Sequence, residues 1–342
     1  MKKILLSPAV KIMMLAALLI IIIFISLFIG NYKISMQSYI HIFTHIILRI
    51  NSQIIESLDW SVFYYIRLPR IMAVIIVGAS LSITGAAYQN IFRNPLVSPD
   101  ILGVSAGAGL GVAVGLLYTN GSIVYVYISA FIFGTAAAAL TYLISITARK
   151  SSSILMVLAG IIVASLSNAL LSLLKYLADP MEKLPGIVFY LMGGFSRIGW
   201  REVYYLTPIF IIGTAAVLLF RWQLNIFSLG EEEAVSLGIN IFRIKMIIII
   251  FSTMMVAASV AAAGQITWIG LVIPHIARYI VGTNYRYFLP TAALSGSLML
   301  LVVDNLARTV SGAEIPISII TALIGAPFFA YLLLSRKESG WH

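Results

Sequence analysis

Two pairings in this sequence have residue types and spacing that could do chemistry: His41 with His45, and Asp304 with Arg308. Residues four apart share one face of a helix, so the two imidazoles could turn together toward a metal ion. No third ligand stands near them, so they read as polar residues at a membrane surface, and no metal site or cofactor is expected. Asp304 and Arg308 form a mutually neutralising acid–base pair that could anchor a helix end. An ion-coupling role for Asp304 would call for several further carboxylates within the membrane. The familiar catalytic spacings G-x-x-x-x-G-K-[ST] and H-E-x-x-H are absent, and there is no cysteine. ATP hydrolysis through a P-loop and thiol chemistry are therefore excluded, and the chain is not expected to be an enzyme.

The elements that must position these residues are set by hydrophobicity. Of 342 residues, 61% are hydrophobic and 10% charged, where soluble domains hold about 45–50% and 25%. The apolar residues fall in blocks of about 18–25, the length that crosses roughly 30 Å of hydrocarbon as a helix. Strand-like alternation is missing, so an all-α polytopic membrane protein is expected. Ten spans are predicted, near 12–30, 69–88, 101–118, 123–147, 154–174, 203–220, 242–263, 267–282, 290–307 and 315–334. The run after Lys2, Lys3 and Lys11 is read as the first span, since it is long for a signal peptide and has no cleavage site. An even number of spans puts both termini on one side. Placing them in the cytoplasm gives that side thirteen of the 22 basic residues, a modest positive-inside bias. The net charge of +10 is scattered over loop ends, which suits membrane lipid and not nucleic acid.

Three connections are too long for turns. The stretch 31–66 predicts a membrane-surface helix followed by an aromatic belt at Trp60, Phe63, Tyr64 and Tyr65. The stretch 175–202 predicts a short helix at the outer face. The loop 222–241 carries Glu231-Glu232-Glu233 and an amphipathic piece bounded by Gly230 and Gly238. In the third span Gly103, Gly107, Gly111 and Gly115 recur every four residues, predicting one face for close helix packing. Asn94-Pro95 and Leu96, between the second and third spans, could border a cytoplasmic gate or simply join two helices.

Read together, the motifs form a pattern. Arg67-Leu-Pro-Arg70 opens the second span and Gly85-Ala-Ala-Tyr-Gln89 closes it. Arg93-Asn-Pro-Leu-Val-Ser-Pro-Asp-Ile-Leu-Gly-Val-Ser-Ala-Gly107 follows. Later come Leu229-Gly-Glu-Glu-Glu-Ala-Val-Ser-Leu-Gly238, Trp268-Ile-Gly-Leu-Val-Ile-Pro-His-Ile-Ala-Arg278, Asp304-Asn-Leu-Ala-Arg308, Glu314-Ile-Pro-Ile, and Gly325-Ala-Pro-Phe-Phe. From about residue 60 to 335 this closely resembles the FecCD-type permeases of ABC importers for ferric siderophores, haem and cobalamin. Two departures are Val97-Ser-Pro-Asp100, where the family usually has Ala before x-Pro-Asp, and Pro316-Ile-Ser, where it usually has Pro-Val-Gly.

The resemblance implies a single permease domain over 1–342 with the type II ABC importer fold, spans 2–5 and 7–10 forming an inverted repeat. It implies a second permease subunit (the same chain or a paralogue), two cytoplasmic ATPase subunits, and a periplasmic or lipid-anchored binding protein. The setting is a bacterial or archaeal cytoplasmic membrane. The leading cargo is a ferric siderophore, with haem, cobalamin or an oxyanion as alternatives. Arg67, Arg70 and Arg308 are expected to dock the binding protein at the outer rim. Leu229, Gly230, Glu231, Ala234, Leu237 and Gly238 are expected to meet the ATPase, with Ala234, Val235 and Leu237 inserting into a groove. An ion-coupled secondary transporter is the rival of another class, and it has no reason to carry that loop.

Overall fold

A computed structural model describes residues 7–48, 57–119, 122–147, 153–310 and 314–335. Lys2, Lys3, Arg49, Arg149, Lys150, Arg336, Lys337 and His342 lie outside the described residues. Among those described, every regular element is a helix. Ten helices answer to the ten expected spans: α1 (Pro8–Phe28), α4 (Leu68–Ile91), α5 (Val104–Tyr118), α6 (Ile123–Thr147), α7 (Ser153–Leu177), α9 (Trp200–Leu219), α12 (Ile241–Ala263), α13 (Ile269–Val281), α14 (Tyr285–Thr309) and α15 (Ile317–Ser335). Local chemistry starts several of them. Pro8 occupies the first turn of α1 beside the Ser7 cap, and Asn240 and Asn284 cap α12 and α14 with their side-chain oxygens.

Two spans differ from expectation. The α5 helix has 15 residues and α13 has 13, rising only about 20 Å each, too little to cross the hydrocarbon alone. Each is preceded by non-helical chain that makes up the distance. Before α5 this is the segment 93–103, including a 3-10 turn at Pro99–Leu102. Before α13 it is 264–268. Such backbone is tolerated at membrane depth only where protein surrounds it. Here Val97, Pro99 and Leu102 are buried on one side, and Gly264 and Ile266 on the other.

The surrounding protein is α4 and its neighbours. The α4 helix is almost wholly buried and continues a short helix, α3 (Leu58–Ser61), through a π-helical turn at Val62–Arg67. Pro69, which has no N–H to donate, follows that turn. Helix α4 packs on α14 and α13, while α12 packs on α6 and α5. Exchanging the set α4–α7 for the set α12–α15 leaves this pattern of neighbours unchanged. At the α4–α14 crossing a Cβ on Gly78 would lie 2.5 Å from the Gly296 carbonyl oxygen, so only glycine fits.

The shorter elements sit at the bundle ends. The expected surface helix is α2 (Met36–Leu48), whose Tyr39 packs on Phe28 and Phe63. The others are α8 (Lys183–Leu191), α10 (Arg221–Phe227) and α11 (Glu231–Ser236). Helix α1 and much of α7 expose Leu and Ile freely, as lipid-facing surface does.

Gly107, Gly111 and Gly115 do lie on one face of α5, against α6. A Cβ on Gly107 would come within 2.6 Å of the Ala137 Cβ and the Phe133 carbonyl, and one on Gly115 within 2.7 Å of the Val126 Cα. On Gly111 it would meet the Ser129 carbonyl. Gly103 is a correction. It lies outside the helix as its N-cap, with φ +73°, and faces Gly160 and Ala164 of α7 instead. Its left-handed backbone favours glycine, and a Cβ there would also crowd the α7 backbone at 3.2 and 3.3 Å.

Candidate functional site

Three constellations carry the polar chemistry, one at each end of the bundle and one between the helix breaks. At the end far from the N-terminus, Arg67 and Arg70 lie three apart at the start of α4, as the sequence demands. Both side chains point inward. Arg67, Arg70 and Arg308 are only 3%, 4% and 5% exposed. The Arg70 guanidinium binds the Asp304 carboxylate at 2.8 Å and the Glu314 carboxylate at 2.6 and 2.9 Å. Arg308 Nε stands 3.2 Å from the other oxygen of Asp304, and Nη1 donates to the Ile29 carbonyl at 3.0 Å. Arg67 donates to the Tyr32 carbonyl at 2.5 Å, and also to the Leu27 carbonyl and the Tyr39 hydroxyl.

This corrects the expectation of three free cations on the rim. Each arginine is occupied by this chain's own acceptors, so a binding protein would have to break the buried ion pairs of Arg70 and Arg308 or the hydrogen bonds of Arg67 to reach them. Among the described residues, the exposed far-end cations are Lys33, Lys183, Arg197 and Arg201. Glu314, the second acid on Arg70, entered the sequence reading only within the motif Glu314-Ile-Pro-Ile and was given no role there.

At the N-terminal end, the loop 222–241 is built from α10 and α11. Two asparagines hold it to the bundle. Asn90 Nδ2 of α4 donates to the Leu224 carbonyl at 3.0 Å, and Asn225 Oδ1 accepts from the Tyr285 backbone N–H of α14 at 2.9 Å. Neither asparagine stood out in the sequence. Gly230 and Gly238 have φ of +158° and +74° and delimit α11 as expected. Ala234 is a correction. It is fully buried within this chain, while Leu229, Val235 and Leu237 are about 60–70% exposed. The side chain of Glu231 lies outside the described residues.

Between the two breaks the chain crosses itself. Asp100 accepts from the Ser105 hydroxyl, and Gln265 Nε2 donates to the Ser105 carbonyl at 3.0 Å. The Asn94 carboxamide oxygen accepts from Leu96 N at 2.9 Å, closing a turn that leaves Leu96 exposed. The Pro95 carbonyl lies 2.9 Å from His275 Nε2 on α13. So Asn94, Pro95 and Leu96 form a ledge beside α13, and His275 belongs to the same place. His41 is exposed on α2 and His45 meets Trp60 edge-on at 5.4 Å.

Comparison with known proteins agrees with this geometry. The model of the FecCD transport family matches residues 18–335. The chain is 40% identical to the molybdate import system permease protein of Haemophilus influenzae, over 95% of this chain and 96% of that one. It is 36% identical to the cobalamin import system permease protein of Halobacterium salinarum, over 80% and 73% of the two chains. With the hemin transport system permease protein of Yersinia pestis it shares 34% over 82% and 85%. Its structure is similar to one described as an inward-facing conformation of a metal-chelate type ABC transporter, with TM-score 0.84, 38% identity, and coverage of 96% of this chain and 100% of that one. A multi-pass bundle with two interrupted spans and an anchored loop at one end is thus the ABC importer permease fold, and the chain belongs to the FecCD transport family.

Proposed function

We propose that this permease carries a small metal-containing anion of the molybdate type, received from a binding protein, with a ferric siderophore as the second reading. The observation that carries the substrate choice is similarity along the full chain to a molybdate permease, against about four-fifths of the chain for the cobalamin and haem relatives. The siderophore reading rests on the metal-chelate description of the similar structure. On the surface of α7, Ser165, Asn168 and Ser172 are exposed in one lane, with Lys175 half-buried at its end. The Ser172 hydroxyl donates to the Asn168 carbonyl at 2.9 Å within the helix, but the Asn168 amide facing hydrocarbon would be unsatisfied, so this lane suits a watered pathway or a facing subunit. Its hydrogen-bonding groups and terminal ammonium suit an oxyanion.

The loop 222–241 supports coupling to an ATPase. Its exposed Leu229, Val235 and Leu237 stand on a base fixed by Asn90 and Asn225. The charge distribution supports cytoplasmic termini. Leaving out the three buried arginines, the described basic residues number seven at the N-terminal end and five at the far end, where including them would give seven against eight. Docking of a binding protein falls to the exposed Lys33, Lys183, Arg197 and Arg201.

The test is ATP-driven uptake by the permease reconstituted with its ATPase and binding protein. Accumulation of molybdate without ferric siderophore supports the first reading. The reverse result replaces it with the second.

A further inference from the structure

Each short helix begins at a residue with left-handed backbone. Gly103 precedes α5 with φ +73°, and Trp268 precedes α13 with φ +71°. For glycine this costs nothing, but a tryptophan carries a Cβ and a ring into a region that L-residues avoid. The strain is local and well defined. Ile269 N donates to the Thr267 carbonyl at 2.9 Å across Trp268, a γ-turn of the rare positive-φ hand. Strain of this kind persists only where the surroundings impose it.

The indole rests on α15. A Cβ on Gly325 would fall 2.6 and 2.7 Å from the Trp268 Cβ and Cγ, so α15 meets the ring with its bare backbone. Farther along α15, Phe329 lies 6.4 Å from the Trp268 ring and 6.0 Å from His275, itself in contact with Pro95. The start of α15 is tied to the same break by a second route. Ile317 N donates to the Gly193 carbonyl at 3.0 Å, and Gly194 N donates to the Ala263 carbonyl at 2.9 Å. Helix α15 is therefore held at two points by the segment 263–268.

From this juxtaposition we infer that Trp268 is a positioning residue for transport: its strained turn converts a shift of the α12–α13 break into a displacement of α15. The inference rests on the ABC permease reading, and its test separates the two. The chain has no native cysteine, so labels can be placed without background. Tyr279 on α13 and Leu323 on α15, 94% and 70% exposed, are replaced by cysteine and spin-labelled. The distance between them is measured in the assembled complex without nucleotide and after trapping with ATP and vanadate.

The expected result is an ATP-dependent distance change in the parent, preserved in Trp268→Phe and lost in Trp268→Gly. Basal ATPase activity should stay within about twofold of the parent, and binding-protein-stimulated uptake should fall at least tenfold. Gly325→Ala alone should destabilise the permease. Combining it with Trp268→Gly should restore thermal stability but not uptake. Should Trp268→Gly fail to assemble, Trp268→Ala, which removes the ring but keeps a Cβ, carries the same readout. No distance change in the parent would overturn this inference, whereas failure of the parent complex to show binding-protein-stimulated, ATP-driven uptake would count against the transport reading on which it rests. A change that survives in the Gly or Ala variant, or uptake regained by the double variant, would leave Trp268 as filling alone and overturn this inference.

Discussion

Asp304 is completely buried between two guanidinium groups, and Arg70 in turn bridges two carboxylates. Removing one member of such a set leaves an uncompensated charge, at a cost of about 3–5 kcal/mol. Asp304→Asn should therefore lower the thermal stability of the detergent-solubilised permease by that order, and Arg70→Leu likewise. Glu314→Gln should cost less, because its side chain is one-third exposed and water screens it. An Asp304→Asn permease unfolding at the parent temperature would mean that the cluster is neutral in the membrane. The sequence showed only the local part of this cluster. Arg67 with Arg70 and Asp304 with Arg308 are visible as helical spacings, but the partner that turns Arg70 inward lies 234 positions away. No local periodicity reports such a pairing, so buried arginines read as rim arginines.

At the scale of the element, the long apolar spans were legible because hydrocarbon demands a continuous run of them. The interruptions were not. The segment 93–103 holds Asn94, Pro95, Pro99 and Gly103, all ordinary loop residues, and nothing local says that the loop enters the bundle. The same blindness put Gly103 in the helical stripe, since a spacing of four continues past the cap where φ turns positive. For the true stripe, Gly111→Leu should separate α5 from α6, because the Ser129 carbonyl occupies the space of any Cβ. The expected outcome is loss of folded permease in thermal unfolding; unchanged stability would place that face elsewhere. In the loop 222–241, Leu237→Asp should reduce co-purification of the ATPase severalfold with the permease still folded. Ala234→Arg should instead disrupt the loop itself, seen as protease sensitivity between α10 and α12, because Ala234 is packed inside.

For the whole molecule, charge separates into two populations that act differently. The buried arginines hold helices together and are insensitive to salt. The exposed Lys183 and Arg201 at the far end would steer an acidic partner, an effect screened over about 8 Å at physiological ionic strength. Lys183→Glu with Arg201→Glu should slow binding-protein association more than tenfold at low salt, with the difference shrinking as salt rises. An association rate unchanged at low salt would assign docking to other residues. The ABC permease architecture was legible from ordered motifs along most of the chain, whereas the division of its arginines into the two populations needed the fold.

The pairing of Arg70 with Asp304 also has a consequence for how the protein is made. At ribosomal speeds of about 5–20 residues per second, the 234 residues between them impose a delay of roughly 10–50 s. Throughout that interval Arg70 has been delivered to the membrane without either of its acids, which arrive with the last two helices. A nascent permease therefore advertises its incompleteness as an unpaired cation, the kind of defect that membrane quality-control proteases remove. A chain truncated before residue 304 should be cleared quickly in pulse-chase experiments. There Arg70→Leu should lengthen its lifetime, although the same substitution shortens the lifetime of the full-length chain.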